Sequence, residues 1–380
     1  GFNGPQTLTM HFRDGNPIQG IVEKRVLTDI TNTSFCNKAG EPLFYTSGRV
    51  IYDANLNKLT GGDSLSPLGA VEWYPIYPIP HGAIALTQPN LENQNIALFH
   101  QEMQWNDSKN NEPYCLNYYY TLLEYDKAEV SVISKNIPFF KKIQNAGATA
   151  ACRHANGRDW WLVSVGYDTN ELYVFLFDPS GIHLHHTEVT SYKFSKITVQ
   201  GLFSPDGNHW ICHGVGNDLG RTSSEYQYNE IHVLNFDRSS GKFSNHRRHT
   251  FVHELTKLKY AIGAVVSPNS RFLYISLNQV LYQYDLTEQE FQLSKVLVDS
   301  IIFDPDERWS PNYFLGQLAP DGRIYYTSGN GSLFMNIVHE PNKKGSACKA
   351  QNHALPLKLY NQISIPYFPN YRLGPIDGSV

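Results

Sequence analysis

The stretch Arg153-His154-Ala155-Asn156-Gly157-Arg158-Asp159-Trp160-Trp161 is the densest group of ionisable and aromatic side chains in the chain. In a general acid–base site His154 would be the base and Asp159 the carboxylate that orients it. Nothing nearby in sequence supplies a nucleophile with a third partner. Asn156-Gly157 is instead the residue pair of a two-residue hairpin turn. The group therefore reads as a structural turn, with Arg153, His154, Arg158 and Asp159 tying it to neighbouring strands.

Three other groups have the right residue types for a site. His183 and His185 share one face of a strand, because strand side chains alternate, and His186 follows. Two histidines at that spacing lack the further Asp, Glu or Cys that a metal needs, so no metal is expected there. His246-Arg247-Arg248-His249 has the charge for an anion, but reads as a solvated strand edge that discourages unwanted pairing. Asp304-Pro305-Asp306-Glu307 and Asn217-Asp218 are the acidic loop candidates for Ca²⁺. Neither follows the D-x-[DN]-x-[DN]-G pattern, and both read as polar turns. Trp73, Trp105 and Trp210 are the aromatic residues offered for binding a sugar or peptide. No residue is assigned a catalytic role, and no metal or cofactor is expected.

The elements that position these groups are hairpins. Gly201-Leu202-Phe203-Ser204-Pro205-Asp206-Gly207-Asn208-His209-Trp210-Ile211-Cys212 is strand, tight turn, strand. Pro sets one turn position, Asp bonds the backbone just ahead, and Gly takes positive φ freely. The unit recurs at Ala264 to Ile275 and at Gly316 to Tyr326. Related hairpins fall at Ser34 to Ser47, Gly82 to Gln101 and Ala148 to Val165. Further apolar strands follow each of them. Six internal hairpins of this kind predict an all-β protein and a β-propeller. Gln6 to Phe12 and Gln362 to Phe368 are left as single strands, and pairing them predicts a seventh blade that closes the ring. Six or eight blades are the neighbouring solutions. One domain spanning 1–380 is expected, with only Lys141 to Ala146 and Val252 to Tyr260 offering a helical turn or two. The strands Ala83 to Leu86, Ala148 to Cys152, Leu202-Phe203, Ala264 to Val266 and Leu315 to Leu318 are expected to be the most buried.

Composition agrees. The chain has 380 residues with 24 Tyr and 20 Phe, which suit pleated, half-buried surfaces. A net charge of -4 with no long block of one sign disfavours nucleic acid and anionic membranes. No apolar run is long enough to span a bilayer. Residue 1 is Gly, which suggests a processed or trimmed chain. The five cysteines, Cys36, Cys115, Cys152, Cys212 and Cys348, form no C-x-x-C pair. Cys152 and Cys212 read as buried thiols, and a single disulfide involving Cys36 or Cys348 is the alternative considered.

Several segments together carry a family resemblance. They are Asn37-Lys38-Ala39-Gly40-Glu41-Pro42-Leu43-Phe44-Tyr45-Thr46-Ser47-Gly48, Arg153 to Trp161 and Gln317 to Tyr325. Pro341-Asn342 with Gly345 and Cys348, and Tyr371-Arg372-Leu373-Gly374-Pro375-Ile376-Asp377-Gly378-Ser379, complete the set. The chain resembles the propeller region of secreted surface proteins of Bacteroidota. Such proteins often carry sorting or gliding-motility-associated modules and are exported by type IX secretion. The resemblance implies an extracellular, cell-surface address. It also brings forward Ser64 and Ser300, in Asp-Ser followed by an apolar residue, as O-glycan candidates. Asn32, Asn106 and Asn330 begin Asn-x-Ser/Thr triplets that matter only in an N-glycosylating cell. The function expected is a non-catalytic structural or adhesive module, a subunit of a surface assembly or filament. Its partners would be other copies, other surface proteins or glycans. The terminal segments Gly1 to Pro5 and Pro369 to Val380 are the expected contacts. A carbohydrate- or peptide-binding propeller and a propeller hydrolase or lactonase are the alternatives.

Overall fold

The computed structural model describes residues 6–378 except 14, 27, 29, 67–76, 90–94, 106–112, 127–128, 218–226, 253–262, 303–311, 330 and 362. The chain separates into two compact units. One comprises residues 1–26, 217–229 and 251–365, and the other residues 27–216, 230–250 and 366–380.

In chain order, β1 (Thr7–Arg13) and β2 (Asn16–Val22) form a two-stranded hairpin. The first blade is β3 (Thr33–Cys36), β4 (Pro42–Thr46) and β5 (Ile51–Asp53). The second is β6 (Ala83–Thr87), β7 (Asn95–Trp105), β8 (Pro113–Asp126) and β9 (Glu129–Asn145). The third is β10 (Ala150–Arg153), β11 (Trp160–Val165), β12 (Glu171–Asp178) and β13 (Gly181–Val189). The fourth is β14 (Ile197–Phe203), β15 (His209–Asn217), β16 (Gln227–Phe236) and β17 (Phe243–Phe251). The fifth is β18 (Gly263–Val266), β19 (Phe272–Leu277), β20 (Val280–Asp285) and β21 (Val296–Ser300). The sixth is β22 (Gly316–Leu318), β23 (Ile324–Tyr326), β24 (Ser332–Val338) and β25 (Ala350–Asn361). Blades one to four build the larger, four-blade unit, and blades five and six with the β1–β2 hairpin build the two-blade unit. The chain is thus all-β, with six blades of the propeller type, and the described residues contain no α-helix.

The turn chemistry works as the sequence implies. Ser204 N–H donates to His209 C=O at 2.9 Å, and Gly207 N–H donates to Ser204 C=O at 2.8 Å. Asp206 Oδ1 accepts from the Asn208 N–H. Ser267 and Ala319 repeat the pattern at their own turns. Gly207, at φ +75°, is required for a second reason. A Cβ there would lie 2.7 Å from Cys152 Sγ.

Four expectations are corrected. The six internal hairpins exist, but the described residues form no seventh blade and no closure by sheet pairing. Among them β1 pairs with β2 alone, in register from Thr7↔Val22 to Arg13↔Asn16. Residues 363–368 form no strand. A partner two residues away is reached at far lower loop-closure entropy than one about 350 residues away. Leu8, Met10 and Phe12 then pack on Tyr325, Met335, Ile337 and Leu357 within the two-blade unit. Pro366 and Pro369 meanwhile remove two backbone donors that a ladder at the other end would need.

Secondly, the C-terminal segment is packed, not free. Tyr367 N–H donates to Asn32 C=O at 2.9 Å, and Tyr371 OH donates to Ala85 C=O at 2.7 Å. The Tyr371 ring meets Phe35 and Trp160 edge-on. Asn370 Nδ2 donates to Pro205 C=O, Arg238 donates to Gly374 C=O, and Ile376 N–H donates to Ala155 C=O. This strap therefore touches all four blades of its unit. Gly1 to Pro5 lies outside the described residues.

Thirdly, Lys141 to Ala146 is strand, not helix, because β9 runs on to Asn145. Val252 to Tyr260 falls almost wholly outside the described residues. Fourthly, none of the five cysteines is in a disulfide, Cys36 and Cys348 included. Cys36 is exposed and the other four are buried.

Ala83 to Leu86, Ala148 to Cys152 and Ala264 to Val266 are buried as expected. Leu202 and Phe203 are only half-buried, as are Gln317 and Leu318. Trp161, Trp210, Val163, Val174 and Leu234 anchor one core of the four-blade unit. Tyr274, Tyr313, Tyr326, Phe272 and Leu281 anchor that of the two-blade unit.

Candidate functional site

Residues 154–159 are the six-residue connection between β10, which ends at Arg153, and β11, longer than the two-residue turn expected. Asn156 Oδ1 accepts from the N–H groups of Arg158 and Asp159, each at 3.0 Å. Gly157 N–H donates to His154 C=O, and Gly157 sits at φ +71°. Arg158 holds the Asp159 carboxylate through both oxygens, at 2.7 and 3.0 Å. Burial pushes the Asp159 carboxyl up, but the hydrogen bonds from Arg158 and Asn156 outweigh it and leave the group below its usual range. His154 Nδ1 accepts from the Asn156 N–H, so that lone pair is spent inside the turn. Arg153 stacks 3.8 Å over Trp160 and donates to Thr87 of the preceding blade. A Cβ on Gly157 would strike Pro375 of the strap. Every one of these groups serves the junction of strap, turn and blade.

A second polar network lies on β7 and β8. His100 Nδ1 is 2.8 Å from Ser66 Oγ, and its Nε2 is 3.1 Å from Thr121 Oγ1. Ser66 Oγ donates to Gln101 C=O, so it accepts from His100 Nδ1–H, and His100 Nε2 accepts from Thr121. The serine–histidine pair is therefore oriented opposite to a nucleophile and its base. Two residues on, on the same face, Glu102 accepts from Gln104, Asn117 and Tyr119. His81 is set similarly. Its Nδ1 donates to Gly201 C=O at 3.0 Å, its Nε2 accepts from Gln200, and its ring stacks on Tyr367. Burial pulls His81 and His100 each down to about 3, so both are neutral imidazoles at pH 7.

The arrangement closest to acid–base machinery was not foreseen. Glu230 and His232 are two apart on β16, and His246 and Arg248 are two apart on β17, so the strand period turns each pair to one face. Glu230 Oε1 accepts from His232 Nε2–H. His232 Nδ1 then accepts from His246 Nε2–H at 2.8 Å. Arg248 donates to Glu230 Oε2 at 2.9 Å. The carboxylate fixes both tautomers and leaves His246 Nδ1 as a bare lone pair. That atom is buried with no hydrogen-bond partner among the described residues. Tyr192 and Phe194, from the connection before β14, cover the ring. Burial pushes Glu230 up, but His232 and Arg248 more than reverse it. Burial, then the neighbouring His232 and Arg248, pull His246 down to about 3. The relay is complete, yet it is uncharged on its imidazoles at pH 7 and capped by aromatic rings. The run 246–249 is thus not simply a solvated edge. The i, i+2 spacing of Glu230 and His232 was a readable signal, whereas the strand register that brings His246 to them was not.

His183 and His185 share a face as expected, since Leu176, the cross-strand partner of His183, pairs with Trp161, whose ring meets His185. β12 and β13 carry a bulge in which Val174 pairs with His186 and Phe175 with Leu184, leaving His185 as the extra residue. His185 therefore turns toward His186. The described residues contain no group of three or more His, Cys, Asp or Glu placed to hold a metal.

Of the aromatic candidates, Trp210 is fully buried between Phe194 and Phe243, which removes it from any ligand surface. Trp105 ends β7 opposite Pro113, with its side chain outside the described residues. Trp73, Asn106, Asn330, Asp218 and Asp304 to Glu307 also lie outside them, and Asn217 is placed only as the end of β15. Ser64 and Ser300 are exposed, and Asn32 is half-buried beneath Tyr367.

No family model matches the chain, and no curated protein does. Several solved structures are similar. A functionally unknown protein from Desulfotomaculum acetoxidans DSM 771 is 14% identical, with 74% of this chain and 76% of that one covered, at a TM-score of 0.40. The Dos1 propeller is 11% identical over 80% of this chain and 69% of its own, at 0.37. The α-L-arabinofuranosidase Arb93A from Fusarium graminearum is 10% identical over 86% and 94%, at 0.43. At this level of likeness they assign no activity to the chain. No helix among the described residues is long and apolar enough to cross a membrane.

Proposed function

We propose that this chain is a non-catalytic structural or adhesive module that works outside the cell as part of a surface assembly. The observation that carries the reading is apolar exposure on the outermost strands of three blades. Ile133 and Ile143 on β9, Leu184 and Val189 on β13, and Leu297 on β21 all face solvent. Outer strands are the sheet edges that a soluble monomer normally guards with charge. The residues of catalytic type support the same reading, because His81, His100, Glu102 and Asp159 are all committed to neighbours inside their own unit. The Bacteroidota address rests on the sequence resemblance.

The test is the mass of the intact chain in solution across a concentration series. The reading expects self-association that weakens in a Leu184→Lys, Val189→Lys double variant with an unchanged melting temperature. A strictly monomeric chain that binds none of its native surface proteins, or that turns over a small substrate, overturns it.

A further inference from the structure

The bulge in the third blade does more than misalign a strand. It places His185 Nδ1 and His186 Nδ1 2.9 Å apart on the outermost strand, with His185 exposed. Both rings are held from behind. The Trp161 indole meets the His185 ring at 80° with centroids 5.1 Å apart. Glu188 Oε2 stands 3.4 Å from His186 Nε2, an ion-pair distance not aligned as a hydrogen bond. A carboxylate on that side favours the proton on Nε2 and leaves Nδ1 as a lone pair, which is how metal-binding imidazoles are usually oriented.

The separation is close to that of two cis donors on one ion. With metal–nitrogen bonds of about 2.0 Å, two donors 2.9 Å apart subtend roughly 90°, whereas a tetrahedral ion would hold them about 3.3 Å apart. Cis positions at a right angle belong to tetragonal ions with nitrogen and oxygen ligands, and copper stands highest of these in intrinsic affinity.

We propose that His185 and His186 form a two-imidazole site for a tetragonal transition-metal ion, Cu(II) in preference to Ni(II) and Zn(II). Without metal, His185 Nδ1–H donates to His186 Nδ1. On binding, that proton leaves Nδ1 and one returns to His185 Nε2. Both rings stay neutral and the net proton count is unchanged. Water completes the plane. His183, facing Asp178 at 4.0 Å, takes no part.

The test uses the full chain, stripped with chelator and carrying Cys36→Ser so that the exposed thiol does not reduce copper. Cu(II) is titrated and followed by electron paramagnetic resonance. The expected spectrum shows one equivalent bound with two coupled nitrogens. His185→Gln and His186→Gln should each weaken binding about tenfold or more and leave one coupled nitrogen, with His183→Gln unchanged. The same variants made to Ala, with melting temperatures recorded, separate a lost ligand from a disturbed strand. The proposal is overturned if either Gln variant binds like the parent, if His183→Gln weakens binding as much, or if Zn(II) displaces Cu(II) at equal concentration.

Discussion

The four-blade and two-blade units are made from the same antiparallel meander, but they differ in what they bury. Among the described residues, the fully buried imidazoles, His81, His100, His213 and His232, all belong to the four-blade unit. Among its described residues the two-blade unit buries tyrosines, Tyr274, Tyr284, Tyr313, Tyr325 and Tyr326, and no histidine. Its buried Asp285 is matched directly by Arg271 at 2.7 Å. A phenol is neutral over the whole physiological range, whereas an imidazole held neutral is a liability once the solution turns acid. The four-blade unit also has the strap, a second source of order that blades five and six do not share. The comparison teaches that the residues most suggestive of catalysis sit where the scaffold is most elaborately tied.

The strap provides the largest expected effect. Deleting residues 371–380 removes the Tyr371 plug and the Arg238–Gly374 contact, and should cost roughly 5 kcal/mol. Hydrogen exchange should show the loss in blades one to four, with protection of blades five and six kept. Equal loss in both units would break the comparison.

Acid comes next. The folded pKa values of His81 and His100 lie below the unfolded value, so their contribution is full above about pH 6.5 and is lost as pH falls. At pH 5 the loss is about 2 kcal/mol for each. Exchange protection should therefore fail first in the four-blade unit between pH 6 and 4. His100→Gln should flatten the pH dependence. Simultaneous failure of both units, or a stability that does not change down to pH 4, would contradict this.

The smallest difference expected is that between two equivalent turns. Phe272 is fully buried beside its turn, and Phe203 only half-buried. Phe272→Ala should cost ~3–5 kcal/mol and Phe203→Ala only ~1–2 kcal/mol, measured by denaturant unfolding. Equal costs would show that burial at these hairpins is not what separates them.

Much of this was legible in the residues. Ser204-Pro205-Asp206-Gly207 and its two relatives announce turns whose hydrogen bonds the molecule makes, and all six internal hairpins follow from such signals. Asp14-Gly15 is an equally strong turn signal. It directs Thr7 to Phe12 to the adjacent β2 and not to a distant partner at the other end of the chain. The strap carries no periodicity, since its residues reach four different blades one at a time, so nothing in its pattern distinguishes it from a loose tail. The Glu230–His232–His246 relay needs a strand register, and the His185–His186 pair needs a bulge. Both depend on pairing across strands, which spacing within one strand does not encode.

The acid–base residues of the four-blade unit serve as scaffold, and this can be measured directly. The direct measurement is nitrogen-15 NMR of the imidazoles from pH 8 to pH 4. His81, His100 and His246 should each remain a single neutral tautomer as far down as the fold survives, with His100 and His81 protonated at Nδ1 and His246 at Nε2. A working general base would titrate near neutrality. If any of the three titrates between pH 6 and 7.5, or exchanges between tautomers, that residue is free to move protons and the scaffold reading fails.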